Sequence, residues 1–533
     1  MDPQPILEYH ARSKHQLERY APGPGYMDWA TQPDPFRTYA GAPRVALPLV
    51  ADGLAVRFND LRRGALPGPV PLDRDAIALL LELSLAISAW KSYRGTSWAL
   101  RCNPSSGNLH PTEGYAICSG VPGLEAAVYH YVSRDHALEQ RARLAQASAP
   151  VGGVLVGLAS IYWREAWKYG IRAFRYCNHD CGHAIGAVAY AAAALGLRTH
   201  YLGEAGDADV ARLLGLDRDA DFAQAEREQP ECLVWVGAGE PPTLDAIAGL
   251  VAGATWVGAA NQLSASHRDW PDIDHAHAAA VRPRAPLATR FIPSAPPPSR
   301  APQLDLPAAT IVRTRRSAVD FDGATSIDAE AFYAMLEPLV PRDGVPPWDC
   351  WPHSPRVHLA LFVHRVVGLE PGLYVFAREP EAIARLKPAM RDDWEWQKSG
   401  PRELALYLLT TGDARAAART VSCHQDIAAD SCFALAMLAD FAVASGAPWR
   451  YRELHWECGI IGQVLYLEAE AAGIRATGIG CFFDDALHRV LGLRGGEWQT
   501  LYHFTAGGAV DDARLTTLPP YAFPRRARLE REV

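Results

Sequence analysis

Apolar residues along this chain collect in two long runs of helical length and in several short runs of strand length. Ala184–Leu195 and Ile460–Ala472 are apolar nearly all round, and each is closed by a glycine, Gly196 or Gly473. That pattern predicts two buried helices with glycine stops at their C-termini. Glu113–Cys118 and His358–Val363 read as strands, each leading through a glycine-containing turn into a second short strand, VYHY or LYVF. Helices and strands mix without strict β-α-β alternation, so the expected fold class is α+β, a central sheet packed on long core helices. The apolar stretch Ala76–Trp90 is interrupted by Glu82 and falls short of the ~20 residues that a bilayer span requires.

The two long runs belong to a repeat. Gly182–Gly215 (GHAIGAVAYAAAALGLRTHYLGEAGDADVARLLG) aligns without a gap to Gly459–Gly492 (GIIGQVLYLEAEAAGIRATGIGCFFDDALHRVLG), since 459 − 182 and 492 − 215 both equal 277. Upstream, GLEAAVY (123–129) matches GLEPGLY (368–374) at an offset of 245, so the second copy carries 277 − 245 = 32 additional residues between these landmarks. Duplication is the economical explanation. Between the copies, residues 283–307 hold eight of the chain's 41 prolines, too many for a helix or a sheet ladder, and read as an extended connector. The expected organisation is an N-terminal extension (1–60), a first domain (61–260), a linker (261–307), a second domain (308–520) and a tail (521–533).

With 533 residues, 49% of them hydrophobic and 21% charged, the chain has the balance of a folded, multidomain protein. Its 52 basic and 60 acidic residues give a net charge of −8, against a nucleic-acid binder with a basic face. Ten irregularly spaced cysteines do not make a disulfide framework, and residues 1–16 lack a basic-then-apolar leader. The expectation is a cytoplasmic, reduced protein with neither membrane nor nucleic acid as partner.

No dinucleotide-binding glycine fingerprint, phosphate-binding P-loop or nucleophile elbow appears. Arg101-Cys-Asn-Pro104-Ser105-Ser106-Gly107-Asn108-Leu-His110 offers hydroxyls, an amide and an approachable backbone suited to a polar planar ligand, and equally reads as a plain turn. Arg315-Arg316-Ser317 sets two guanidinium forks beside a hydroxyl, either a phosphate clamp or an ordinary exposed triplet. Gly478-Ile479-Gly480 would let a ring lie against a strand, or would form a bulge. Lys168-Tyr169 precedes Gly170; a cation beside a phenol can lower its pKa and make it a general base, although such a pair is also common on surfaces. Cys177-Asn-His-Asp-Cys-Gly-His183 looks metal-like, but on a helix the two cysteines and the two histidines face roughly 200° apart, so no metal is expected. The Asp272–His277 run, at the start of the linker, reads as a solvated polar face.

Together these segments resemble the nitroreductase superfamily, in particular its SagB/ThcOx-type dehydrogenases. The resemblance rests on RCNPSSGNLHPTEGY (101–115), EAWKYGIRAFRY (165–176), the first core helix through LLGLD, RRSAVDF (315–321) and CGIIGQVLYLEAEAAGIRATGIGCFFDD (458–485), with SKHQLERYAPGPGYMDWATQPDPFR (13–37) resembling the tandem members. It covers most of 10–250 and 308–510. It implies an FMN-binding α+β sandwich formed at a dimer interface, here by the two copies of one chain as an intrachain pseudo-dimer. It also implies that Arg315, Arg316, Ser317 and Gly478–Gly480 serve the flavin from one copy, Arg101 and Pro104–Asn108 from the other, and Lys168 and Tyr169 serve catalysis.

Each copy departs from the family pattern where the other keeps it. The first reads RFND (57–60) in place of Arg-Arg-Ser and Tyr201 in place of the first glycine of Gly-x-Gly. The second reads Pro352-His-Ser-Pro355 in place of Pro-Ser-Ser-Gly, and Ser445-Gly446 in place of Lys-Tyr. One composite FMN site per chain is therefore expected, with an empty pseudo-symmetric counterpart. The expected chemistry is hydride transfer between flavin and a peptide or small molecule, as in azoline-to-azole oxidation. The alternatives are an NAD(P)H-dependent nitro or quinone reductase and a non-catalytic scaffold.

Overall fold

The structure, a computed structural model, describes residues 2–144, 152–286 and 290–522. Each copy contributes one antiparallel sheet, and six strands follow the same order in both, the outermost strand being of different origin in each. In the first the order runs Thr255–Trp256, Ala137–Arg143, Ala127–Val132, Thr112–Cys118, Gly153–Ser160, Gln229–Gly237, Arg198–Tyr201, with Arg44–Ala46 added beside Ala137–Arg143. In the second it runs Gln397–Lys398, Ala405–Thr411, Gly372–Ala377, Val357–Val363, Phe433–Asp440, Trp498–Gly507, Arg475–Ile479. Central strands such as Thr112–Cys118 are buried at every position because helices pack on both faces: Ala116 and Cys118 join the core of the Ala173–Ala194 helix, and Tyr115 and Ile117 that of Asp207–Leu214 and Leu244–Val251. The α+β class and the tandem architecture expected from the sequence are both present.

The two core helices, Ala173–Ala194 and Arg450–Ala471, end at Gly196 (φ 69°) and Gly473 (φ 72°). Both begin at least ten residues before the apolar runs that announced them. Their first halves are polar, and that polarity is used between the copies rather than in water. Arg175 Nη2 meets Asp484 Oδ1 at 2.7 Å, and Arg452 Nη1 meets Asp207 Oδ2 at 2.5 Å, all four side chains being buried. These pairs are one contact seen twice, since 452 − 175 and 484 − 207 both equal the repeat offset of 277. Reciprocity of this kind defines a two-fold interface. At its centre the helices cross backbone to backbone: a Cβ on Gly182 would lie 2.1 Å from the Trp456 carbonyl, and one on Gly459 2.2 Å from that of His179. Glycine in mid-helix ordinarily costs about 1 kcal/mol; here it is what permits the crossing.

Strands also cross between copies. Thr516–Leu518 pairs with Ile87–Tyr93, which pairs with Thr96–Arg101, so the end of the second copy builds a three-stranded sheet on a hairpin of the first. The proline-rich stretch contains no helix or strand among its described residues and lies against both copies: Ala285 N–H donates to Glu204 O of the first copy and Leu304 N–H to Ala471 O of the second. The Asp272–His277 run, expected to be solvated linker, instead lies in a helix, Pro271–Ala279, which buries Ile273 and Ala276 and bonds His277 to the Tyr162 hydroxyl. The 521–533 tail is described only to residue 522. Among the described residues no helix is long and apolar enough to cross a membrane.

Candidate active site

A cavity of about 430 Å³ opens between the two copies, walled by the Arg101–His110 loop, the ends of both core helices, Arg315–Val319 and Arg475–Cys481. It brings together Arg101, Pro104–Asn108, Tyr169, Arg315, Arg316, Ser317 and Gly478–Gly480. Lys168 is not in its wall; its ammonium lies over the Tyr169 ring, 5.2 Å from the centroid.

One end is cationic. Arg315 is 3% exposed, donates from Nη2 to the Arg101 carbonyl at 3.0 Å, and leaves Nε and Nη1 without a partner. Arg316 is held by Ser88 and by the carbonyls of Arg313 and Arg315. Burial and the neighbouring Arg315 push Arg316 down to about 10; burial, Arg316 and Arg475 lower Lys91. Cations that depress one another, with buried donors left over, make a site that an anion would relieve. Arg101 has a different part: its Nη1 and Nη2 donate to the carbonyls of Thr112 and Pro35, its Nε is left without a hydrogen-bond partner, and its own carbonyl serves Arg315.

The Ser105–His110 loop is a tight turn with left-handed backbone at Gly107, Asn108 and His110. The Ser106 amide and hydroxyl donate to Asp180 at 3.0 Å, His110 N–H donates to the Ser105 hydroxyl, and Asn108 Nδ2 donates to Ala99 O. The segment is a turn, and it faces the cavity.

The glycines of Gly478–Gly480 are required by their neighbours. A Cβ on Gly478 would fall 1.9 Å from the Tyr502 hydroxyl, and one on Gly480 2.6 Å from the Tyr176 ring. Gly478 N–H donates to the Tyr466 hydroxyl, which also meets Ser317 Oγ at 2.8 Å.

Tyr169 departs from expectation. Its hydroxyl packs where a Cβ of Gly107 would stand, and its pKa is raised well above the ordinary phenol value by burial and then by the Glu165 carboxyl. Lys168 over the ring face does not offset this, so the phenol keeps its proton and is no ready base. Asp180, in the same wall, is pushed up by burial to about 7.

Lys91 and Trp98 from the hairpin, Tyr176 and Asp180 from the first core helix, and Tyr466, Arg475 and Tyr502 from the second copy complete the wall without having been anticipated. Asp180 sits inside the Cys177–His183 run, where only the cysteines and histidines drew notice. That run is helical, and among the described residues no group of His, Cys, Asp or Glu is arranged to hold a metal. Part of the additional sequence of the second copy also reaches the cavity, through Gln425.

At the pseudo-symmetric position a space of only about 10 Å³ remains, bordered by Trp351, His353 and Glu453. Tyr201 stacks on Trp351 (5.3 Å between centroids), and Arg282 lies over the Tyr201 ring at 5.2 Å. Tyr201, 277 positions before Gly478, thus packs between Trp351 and Arg282.

Residues 367–508 match the model of the nitroreductase family. A crystal structure of a protein from Anabaena variabilis described as a nitroreductase superposes with a TM-score of 0.69 at 20% identity, covering 95% of this chain and 99% of that one, and so shares the fold. A protein from Methanocaldococcus jannaschii, also described as a nitroreductase, is 30% identical over 122 residues, 21% of this chain and 62% of its own length. The trifolitoxin-processing protein TfxB of Rhizobium leguminosarum bv. trifolii is 31% identical over 177 residues, 29% of this chain and 48% of its own. The chain thus spans about half to three fifths of the length of these curated relatives.

Proposed function

Because residues 367–508 match the nitroreductase family and the chain shares that fold, we propose that it is an FMN-dependent oxidoreductase of the SagB/ThcOx type with one composite flavin site per chain. The observation that carries this reading is the convergence, on one cavity, of complementary motifs from two copies that have each lost the other half. The donor set suits the cofactor: Arg315 and Arg316, with Lys91 and Arg475 behind them, would hold its phosphate, and the Ser105–Asn108 loop and Gly478–Gly480 would border its ring system. Bound flavin supplies a hydride acceptor and donor. Around it the protein's own groups act on protons. Tyr169, which retains its proton, donates a hydrogen bond to the substrate, and Asp180 is the group in the wall that changes charge near neutrality.

Similarity to a trifolitoxin-processing protein supports a peptide substrate, and the resemblance to SagB/ThcOx-type dehydrogenases makes azoline-to-azole oxidation the reaction to test on it. The protonated state of Tyr169 favours a second reading, an NAD(P)H-dependent reductase in which that phenol protonates the accepting nitro or quinone group. Both use the same cavity. The test is the absorbance spectrum of the purified chain, with released flavin counted per chain, in wild type and Arg316→Ala. One FMN per chain, diminished in the variant, is expected. A ratio of two would refute the single site, and a colourless chain that rejects added FMN would overturn the enzyme assignment.

A further inference from the structure

Eight of the ten cysteines are buried; the two that are partly exposed, Cys423 and Cys481, lie on adjoining segments beside the cavity. Cys481 directly follows Gly480 and lines the cavity wall. Cys423 lies on the loop that pairs with it: Phe483 N–H donates to Val421 O, and Gln425 Nε2 donates to Cys481 O at 2.9 Å. Between those two anchors the backbone is left-handed at consecutive non-glycine residues, Cys423 (φ 54°) and His424 (φ 58°), a conformation that persists only where the surroundings impose it. The register set by Phe483 N–H and Val421 O places Cys423 opposite Cys481, and each thiol shifts the ionisation of the other. His15 and Arg172 both act on the Cys481 thiol, lowering its pKa. No third ligand completes a metal site among the described residues, and nothing in the proposed flavin chemistry uses either thiol.

We infer that Cys423 and Cys481 are a peroxide-reactive dithiol on the rim of the cavity, which closes to an intramolecular disulfide. The Cys481 thiolate attacks one oxygen of hydrogen peroxide; the O–O bond breaks, Cys481 becomes a sulfenic acid and hydroxide leaves. The Cys423 sulfur then attacks the sulfenic sulfur, the S–S bond forms, the S–O bond breaks, and the Cys423 proton leaves with that oxygen as water. In sum two thiols are oxidised and one peroxide is reduced to two waters.

The division of labour follows from the charges that face the pair. Cys423 and His15, then the Arg172 charge, hold the Cys481 thiol well below the usual thiol range, while Cys481 and burial push Cys423 up. Asp484, on the same side, also raises Cys423. Cys481 is therefore the attacking group. Once it is a neutral sulfenic acid, the negative charge that suppressed ionisation of Cys423 is gone, and the second step becomes accessible. The disulfide would tie the Val421–Gln425 loop to the end of the Gly478–Gly480 strand, whose last carbonyl accepts hydrogen bonds from Arg172 and Tyr176.

The test uses the full chain, labelled with iodoacetamide and mapped by peptide mass spectrometry. Cys481 is expected to label at a nearly constant rate from pH 6 to 8, whereas an ordinary thiol with a pKa of ~8.5 slows about tenfold for each unit of falling pH. After hydrogen peroxide treatment, a linked Cys423–Cys481 peptide lacking two hydrogens should appear and be reversed by dithiothreitol. In Cys423→Ser, which keeps a hydrogen-bond donor, the link is replaced by a dimedone-trapped sulfenic acid on Cys481. A steep pH dependence at Cys481, or peroxide treatment of wild type that yields no such link, overturns the inference whether or not the variant folds.

Discussion

Replacing Asp180 by asparagine should stabilise this protein above neutral pH and leave it unchanged near pH 4. Asp180 is 1% exposed, and burial pushes its carboxyl up to about 7, against the opposing pull of Ser105 and Ser106. In the unfolded chain the same group ionises near ~3.9. Between those values the folded state holds a proton that the unfolded state has released, so stability falls as pH rises through the window, by about 1.4 kcal/mol per unit. Above pH 7 the accumulated penalty is on the order of 4 kcal/mol. Asparagine cannot ionise, and its Oδ1 can retain the hydrogen bonds from the Ser106 amide and hydroxyl, each 3.0 Å in the native protein. Urea denaturation of both proteins from pH 4 to 8.5 gives the difference in stability directly. The curves should coincide at the acid end, separate up to pH 7 and run parallel beyond it. A constant difference, or an asparagine variant weaker at pH 8, would show that the buried carboxylate is charged and satisfied in the fold, and the reasoning would fail.

Three further outcomes follow from the same cavity. Arg315→Lys keeps the charge but loses the unpartnered Nε and fork, and should weaken FMN binding by roughly 10- to 100-fold in a spectral titration, since charged hydrogen bonds contribute about 1.5–3 kcal/mol; unchanged affinity would remove Arg315 from the phosphate. Gly478→Ala places a methyl 1.9 Å from the Tyr502 hydroxyl and should cost about 1–3 kcal/mol in urea denaturation, together with flavin retention; a silent substitution would mean Tyr502 moves freely. Tyr169→Phe should retain flavin while kcat falls roughly 100- to 10,000-fold; full turnover would exclude the phenol from proton transfer.

Much of the architecture was legible because duplication writes geometry into arithmetic. The offset of 277 that aligns Gly182 with Gly459 also pairs the two points where the core helices touch, and carries Arg175–Asp484 onto Arg452–Asp207. The early starts of those helices were not legible, because hydropathy scores a polar residue without knowing its partner: Arg175 reads as surface until Asp484, 309 positions away, is placed against it. Asp180 was hidden for a related reason. Its neighbours in sequence are cysteines and histidines that suggest metal, while its partner in space is the Ser106 turn. Tyr169 shows the limit of adjacency. Lys168 is next to it in sequence, yet lies over the ring face, and the group that governs the phenol after burial is Glu165, one helical turn back.

The fate of the second pseudo-site joins these lines. Loss of its glycine was visible as Tyr201, but a missing glycine alone leaves open whether a ring could still enter. What closes the space is contributed from elsewhere: Trp351 from the segment that would have formed the second Pro-Ser-Ser-Gly loop, and Arg282 from the linker, which lies over Tyr201 and reaches Glu453 at 3.5 Å. A connector that only spanned two domains would have no reason to place a cation on that ring. Its position there indicates that the linker and the substitutions at Tyr201 and Trp351 act as one unit, filling a space that two-fold packing would otherwise leave between the copies. Restoring Gly at 201 alone should therefore not restore a second flavin, because Trp351 and Arg282 still occupy the opening, and a flavin count in Tyr201→Gly that rose to two per chain would refute that reading.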